Sequence, residues 1–172
     1  MKTHVISVLV ENRAGTLSRV SGLFSRRGYN IDSLTVGTTE NSEISRMTIA
    51  VTGDDGILEQ IVKQLSKLVD VIAICNLEDT QFIKREIMLV KVKATEVDRA
   101  AIVQTASIFR ARVVDISPNT ITFEVTGNTE KLEGMLALLR SYGILEIART
   151  GLVALQRGCH VLSEPSGIFR NI

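Results

Sequence analysis

The chain reads as an α+β protein built from two consecutive βαββαβ units, each a four-stranded antiparallel sheet with two helices on one face. Three observations give that class. Runs of period-2 or continuous aliphatic character alternate with runs whose apolar residues recur at helical spacing. The order strand, helix, strand, strand, helix, strand occurs twice, before and after the polar stretch Glu78-Asp79-Thr80-Gln81. The hydrophobic fraction is 45 % of 172 residues with 4 % aromatic and no Trp, enough for two cores packed by aliphatic side chains.

In the first half, strand-like runs fall near 4–11, 30–38, 45–53 and 70–77. Met47, Ile49 and Val51 alternate with Arg46, Thr48 and Ala50, the period of a strand with one buried face. A helix is expected near 15–27, where Leu17, Val20, Leu23 and Phe24 share a face and Gly28 stands at the C-terminal stop. A second is expected near 55–68, with Ile57, Leu58, Ile61, Leu65 and Leu68 on one side. Asp54-Asp55 precedes it and reads as a cap, since acidic groups favour a helix start.

After the polar stretch the order returns, as a repeat of architecture rather than of sequence. A strand at 86–95 leads to a helix near 97–110 with Ile102, Ala106 and Phe109 on one face. Strands at 112–117 and 120–127 are joined by the turn signal Ser117-Pro118-Asn119. A helix near 129–141 carries Leu132, Met135, Leu136 and Leu139, and a last strand runs about 144–155. These units have the ferredoxin-like order. The expected division is 1–78 for the first domain, 79–85 for a linker, 86–157 for the second domain and 158–172 for a tail. Arg157 to Ile172 shows neither period and reads as a mobile tail or a docking segment. Val5 to Val10 is apolar on both sides, so the sheet face without helices also needs a cover; pairing between subunits, most simply a two-fold dimer, is the expected cure.

Composition excludes several classes of function. A net charge of +1, from 20 basic and 19 acidic residues, offers no global field for nucleic acid or an anionic membrane. Cys75 and Cys159 are far apart and unlike any metal spacing; Cys75, inside an apolar run, reads as a buried thiol in a reducing compartment. No apolar stretch approaches a bilayer span, and a strand pattern by residue 4 leaves no room for a leader, so a cytoplasmic protein is expected, or a stromal one if encoded in a plastid. No phosphate loop, nucleophile elbow, zinc pattern or dinucleotide fingerprint occurs, His4 and His160 lack a fixed neighbour, and no catalytic residue or metal ligand is assigned.

Residues 11–34 carry the functional signal. A strand ends in Asn12-Arg13-Ala14-Gly15 and a helix follows at once, so backbone N–H groups of Gly15, Thr16 and Leu17 are free to meet a carboxylate without any basic side chain. Asn12 and Asn30 add amide groups able to accept from an ammonium or donate to the carboxylate, and Gly15 leaves room for close approach. A small acid such as a free amino acid suits this geometry; the plainer alternative is that Gly15 makes a turn and the asparagines satisfy local backbone. Arg19, Arg26, Arg27 and Arg46 form a basic group near the first helix and third strand, either solvated or a docking surface for an acidic partner.

The Asn12-x-x-Gly15-x-Leu17-Ser18 loop between strand and helix, within βαββαβ, resembles the ACT domain, a module that senses amino acids. SVLVENRAGTLSRVSGLFSRRGYNIDSLTVG (7–37), SRMTIAV (45–51), QLSKLVDV (64–71), KREIMLVKV (84–92) and ARTGLVALQRG (148–158) are similar to the small regulatory subunit of acetolactate synthase. That resemblance implies a non-catalytic subunit that activates a large catalytic subunit and confers feedback inhibition by a branched-chain amino acid, typically valine. It also implies that thiamine diphosphate and magnesium belong to the large subunit and that this chain holds no cofactor. The effector would lie between two ACT domains of a homodimer, with Asn12, Gly15, Thr16, Leu17 and Ser18 from one chain and Asn30 and Ile31 from its mate. Arg26, Arg27 and Arg46 would be the candidates for contact with the large subunit.

Three rivals share parts of this pattern. An RNA-binding module has the same element order but stacks bases on exposed aromatic residues of its central strands, where this chain has Val8, Met47 and Ile49. A small phosphatase-like enzyme would use Arg13 beside the helix start. A free-standing amino-acid sensor would control some other protein.

Overall fold

The computed structural model describes residues 2–163, and the chain divides into two units. The first runs to Ile83 and resumes at Leu152; the second is Lys84–Gly151.

The first unit opens with β1 (Lys2–Glu11), α1 (Thr16–Arg26), β2 (Ser33–Thr38), β3 (Ile44–Gly53), α2 (Asp55–Leu65) and β4 (Val71–Asn76). Its sheet has the order β2-β3-β1-β4, with every neighbouring pair antiparallel. Strand β1 lies in the interior and pairs with β3 from Lys2↔Gly53 to Glu11↔Ile44. Alternation sends Ile6, Val8 and Val10 of β1, with Met47, Ile49 and Val51 of β3, towards the helices. There they meet Val20, Leu23 and Phe24 of α1 and Leu58, Ile61, Val62 and Leu65 of α2. The start of α2 is closed by Asp54, whose Oδ1 accepts from the Ile57 N–H at 2.8 Å, the cap that its position predicts.

The opposite face of this sheet is also apolar, and the chain covers part of it with its own later residues. Val5, Ala50, Cys75 and Leu77 are buried in one cluster with Leu152 and Ala154, and Phe82 and Leu162 pack against it. Pairing between subunits is the expected cover for this face; the chain itself supplies part of that cover. Two segments expected as a domain end and a tail belong here instead: Leu152–Gln156 and the part of 158–172 that reaches Leu162. The remainder of the expected tail lies outside the described residues.

The second unit contains most of β5 (Phe82–Lys93), then α3 (Arg99–Ile108), β6 (Arg112–Ser117), β7 (Thr120–Gly127), α4 (Thr129–Leu139) and β8 (Ile144–Arg149), in sheet order β6-β7-β5-β8. Met88, Val90, Val92, Ile121, Phe123 and Val125 of the sheet pack on Ile102 and Ala106 of α3 and on Leu132, Met135, Leu136 and Leu139 of α4. Strand β9 (Val153–Gln156) belongs to the first unit. The fold class is as expected, two antiparallel sheets each with a pair of helices on one face.

Two boundaries move. The expected linker 79–85 is mostly ordered backbone: Leu77–Asp79 form a 3-10 turn capped by Asn76, and β5 begins at Phe82 because that ring packs on the first unit. The expected strand 144–155 is two strands, broken where Gly151 takes φ +83°, a left-handed conformation that suits glycine and turns the chain.

Leu152, only 6 % exposed, is a keystone of the outer cluster. Leu152→Ala is expected to cost about 2–5 kcal/mol, through lost burial and the cavity left behind. Urea unfolding followed by a probe in the first unit should show the lower midpoint; an unchanged midpoint there would mean that the returning segment does not stabilise the sheet.

Candidate functional site

The loop from β1 to α1 is shaped by three local constraints. Glu11 N–H donates to Asp70 O at 2.8 Å, and Asn12 N–H to Glu43 O at 2.7 Å, which hold the strand end between β4 and the β2–β3 hairpin. Asn12 Nδ2 donates to Ser42 O at 2.8 Å, so its amide is fixed with the oxygen left over. Gly15 then precedes the helix with φ +87°, ψ −13°, a conformation that disfavours any residue with a Cβ.

No side chain among the described residues caps α1. Among the described residues the N–H groups of Gly15, Leu17 and Ser18 have no hydrogen-bond partner, which is the state of a helix start ready to take an anion. Thr16 differs from expectation. Its N–H donates to Arg13 O at 3.3 Å, its side chain is buried, and its hydroxyl accepts from Arg19 Nη2 at 3.4 Å. Thr16 N–H is thus engaged within the loop, whereas Ser18 N–H is open among the described residues. Leu17, 45 % exposed, offers an apolar side chain beside these donors.

Arg19 is the residue that sequence reasoning grouped wrongly. Its guanidinium grips Asp70 in a fork, Nε to Oδ2 at 2.5 Å and Nη2 to Oδ1 at 2.9 Å. The same group lies over Gly15: a Cβ built there would stand 2.9 Å from Arg19 Nη1. The hydrogen bond from Arg19 holds the Asp70 carboxyl below the usual carboxylate range, and the pair ties the first turn of α1 to the start of β4. Only the i, i+3 spacing of Thr16 and Arg19 hinted at this role; Asp70 is 51 residues away.

Asn30 and Ile31 lie beyond the other end of α1. Asn30 Nδ2 donates to Asp32 Oδ1 at 3.0 Å, and the Asp32 N–H to Ala50 O at 2.9 Å, near the far end of β3. A helix of 11 residues spans about 16 Å, so Asn30 does not meet Asn12 or Gly15 of its own chain.

The region that carries this loop matches the model of the AHAS small subunit-like ACT domain over residues 6–73, and residues 85–158 match the small subunit of acetolactate synthase. A probable acetolactate synthase small subunit of Methanothermobacter thermautotrophicus is 53 % identical over 161 residues, 93 % of this chain and 96 % of that one. The chain belongs to the acetolactate synthase small-subunit family. The isozyme 3 small subunit of Salmonella typhimurium is 47 % identical over 92 % of this chain and 98 % of its own. The crystal structure of the small subunit from Thermotoga maritima superposes with a TM-score of 0.84 at 40 % identity, covering 92 % of this chain and 99 % of that one.

In this family member the expected basic group is split. Arg26 and Arg27 are exposed at the end of α1, while Arg46 sits on the sheet face away from the helices, where its Nη1 donates to Ser7 Oγ at 2.9 Å. Period-2 alternation with Met47 puts it there. Arg13, the cation that a phosphatase-like reading needs, lies 3.1 Å from Glu11 Oε2. Cys75 is a buried thiol as expected, its ionisation pushed up by burial, and Cys159 is exposed. His4 is buried, and neither ring nitrogen has a hydrogen-bond partner among the described residues. No group of three or more His, Cys, Asp or Glu able to hold a metal occurs among them, and no helix is long and apolar enough to cross a membrane.

The Asp70 carboxyl gives a signed prediction. A carboxyl whose folded pKa is depressed contributes stability above the ordinary carboxylate value, and that contribution is lost as pH falls through the folded value. The stability gap between the natural chain and Asp70→Asn should therefore be constant near neutrality and shrink below about pH 4. Chemical denaturation at stepped pH measures it; a gap that widens in acid would reverse the assignment.

Proposed function

We propose that this small subunit is the regulatory, non-catalytic partner of an acetolactate synthase large subunit in the cytoplasm, and that valine is its effector. The large subunit would hold thiamine diphosphate and magnesium and carry out the condensation in branched-chain amino-acid biosynthesis. The observation that carries the effector reading is the uncapped start of α1, where among the described residues the N–H groups of Gly15, Leu17 and Ser18, beside Asn12, have no partner. Backbone donors at a helix start suit the carboxylate, and exposed Leu17 suits a branched aliphatic side chain.

The site so described is half of one. Among the described residues strand β2 is an edge of its sheet, paired with β3 alone. A homodimer joined by antiparallel β2 edges about a two-fold axis would bring Asn30 and Ile31 of the mate to the Asn12 and Gly15 end, since β2 runs from the Asn30 end of the sheet to the hairpin gripped by Asn12. Effector binding in such a seam stabilises one relative arrangement of two chains, and only that difference in affinity between states can reach the large subunit. Arg26 and Arg27, which border a recess of about 290 Å³ with Lys67 between α1 and α2, are the surface proposed for large-subunit contact.

A shared seam has a complementation signature. Asn12→Ala and Asn30→Ala should each weaken valine binding at least about tenfold, by loss of a hydrogen bond to a charged group. Mixed dimers of the two variants rebuild one intact site, so calorimetry on an exchanged mixture should recover about a quarter of the sites. Recovery of none would place both asparagines in one chain's site. Gly15→Asp is a blunter test, because a carboxylate there also meets Arg19 and competes with Asp70.

The functional assay compares pyruvate condensation by a cognate large subunit alone, with this chain, and with this chain plus valine. The rate should rise and then fall in part, and Asn30→Ala should keep the rise and lose the fall. Three equal rates would refute the regulatory reading.

A further inference from the structure

We propose that the outer face of the first sheet holds a second ligand site, an arginine-centred cavity that takes a small aliphatic monocarboxylate. The cavity, about 530 Å³, lies between that face and the returning C-terminal segment, wholly within the first unit. Such a volume accommodates a molecule of a few to a dozen heavy atoms. Its floor carries Ser7 and Arg46, and apolar contact comes from Leu9, Ile44, Leu77 and Leu155.

Arg46 is the reason to expect an anion. The guanidinium is half-buried, and among the described residues no carboxylate oxygen lies within 4.0 Å of it. One hydrogen bond, to the buried Ser7 Oγ, fixes its direction and leaves the other N–H donors without a protein acceptor among those residues. Burial disfavours its charge and the nearby Glu40 offsets that only in part, so an anion arriving there relieves a desolvated cation. The planar fork matches a carboxylate in two parallel hydrogen bonds. Glu40 at the rim argues against multiply charged ligands such as phosphate esters, which it would repel. The aliphatic walls favour a short branched or straight hydrocarbon over a polar body.

This inference stands apart from the effector reading, because Arg46 and the α1 start lie on opposite faces of the sheet. The two are nonetheless joined through one hairpin. Thr39, Glu40 and Asn41 border the cavity, and the following Ser42 and Glu43 accept the hydrogen bonds of Asn12. A ligand that orders the hairpin from one side acts on the residue that Asn12 grips from the other.

Methyl-labelled NMR of the full chain, titrated with isovalerate, tests the proposal, with isobutylamine as the cation of similar shape. Isovalerate should give saturable shifts at the methyl groups of Leu9, Ile44 and Leu155, in the natural chain and in Asn30→Ala alike, and isobutylamine should give none there. Arg46→Met should weaken binding at least about tenfold with the core methyl spectrum unchanged. Arg46→Lys keeps the charge but loses the fork, and should weaken it less; it serves as the readout if the Met variant does not fold. Absence of shifts at those methyls, equal shifts with the amine, or undiminished affinity in the Arg46 variant that folds would each overturn the site.

Discussion

Strand β1 is hydrogen-bonded on both edges and apolar on both faces, and the rest of the first unit answers that demand. Its edges are met by β3 and β4. Its helix-facing side chains, Ile6, Val8 and Val10, are at 0 % exposure, which two amphipathic helices achieve by closing over them. Its other face, with Val5 at 1 % exposure, draws in a segment from the far end of the chain. A strand so enclosed has freedom only where it ends, and the turn that leaves it at Glu11 is where the helix start is left bare.

That bare helix start is stabilised by its surroundings rather than by a cap. A helix N-terminus with unsatisfied donors is less favourable than a capped one by about 1 kcal/mol. Here the Arg19–Asp70 fork, the Thr16 turn and the Asn12 contacts with the hairpin hold the geometry open. The residues that shape the site are thus distinct from those that would touch a ligand, and a left-handed Gly15 is the point where the two sets meet.

Period and punctuation made most of the fold legible. Strands 112–117 and 120–127 coincide with those observed because Ser117-Pro118-Asn119 marks both ends, and the Asp54 cap follows from its place before an apolar helical face. Grouping Arg46 with Arg26 and Arg27 by charge overlooks its parity against Met47, which puts it on the other face of the sheet. The outer cover was not legible, because an apolar second face specifies that something must bury it without naming what. Leu152 and Ala154 carry no mark of their destination, and a single glycine at 151 conceals the break in a run that otherwise alternates like one strand. The pairing of Arg19 with Asp70 joins residues too far apart in sequence for any local pattern to report.

The discontinuity of the first unit has a consequence for biosynthesis. Residues up to Ile83 leave the ribosome first, and their sheet and helices can form at once. The segment that shields Val5, Ala50 and Cys75 follows only after all of Lys84–Gly151, which at roughly 5–20 residues per second is a delay of several seconds. During that interval the nascent chain displays an aliphatic surface that chaperones recognise, and a message truncated ahead of Leu152 would yield a product that displays it permanently. Synthesis of the residues beyond Gly151 is therefore also the event that shields the outer face of the first sheet from water.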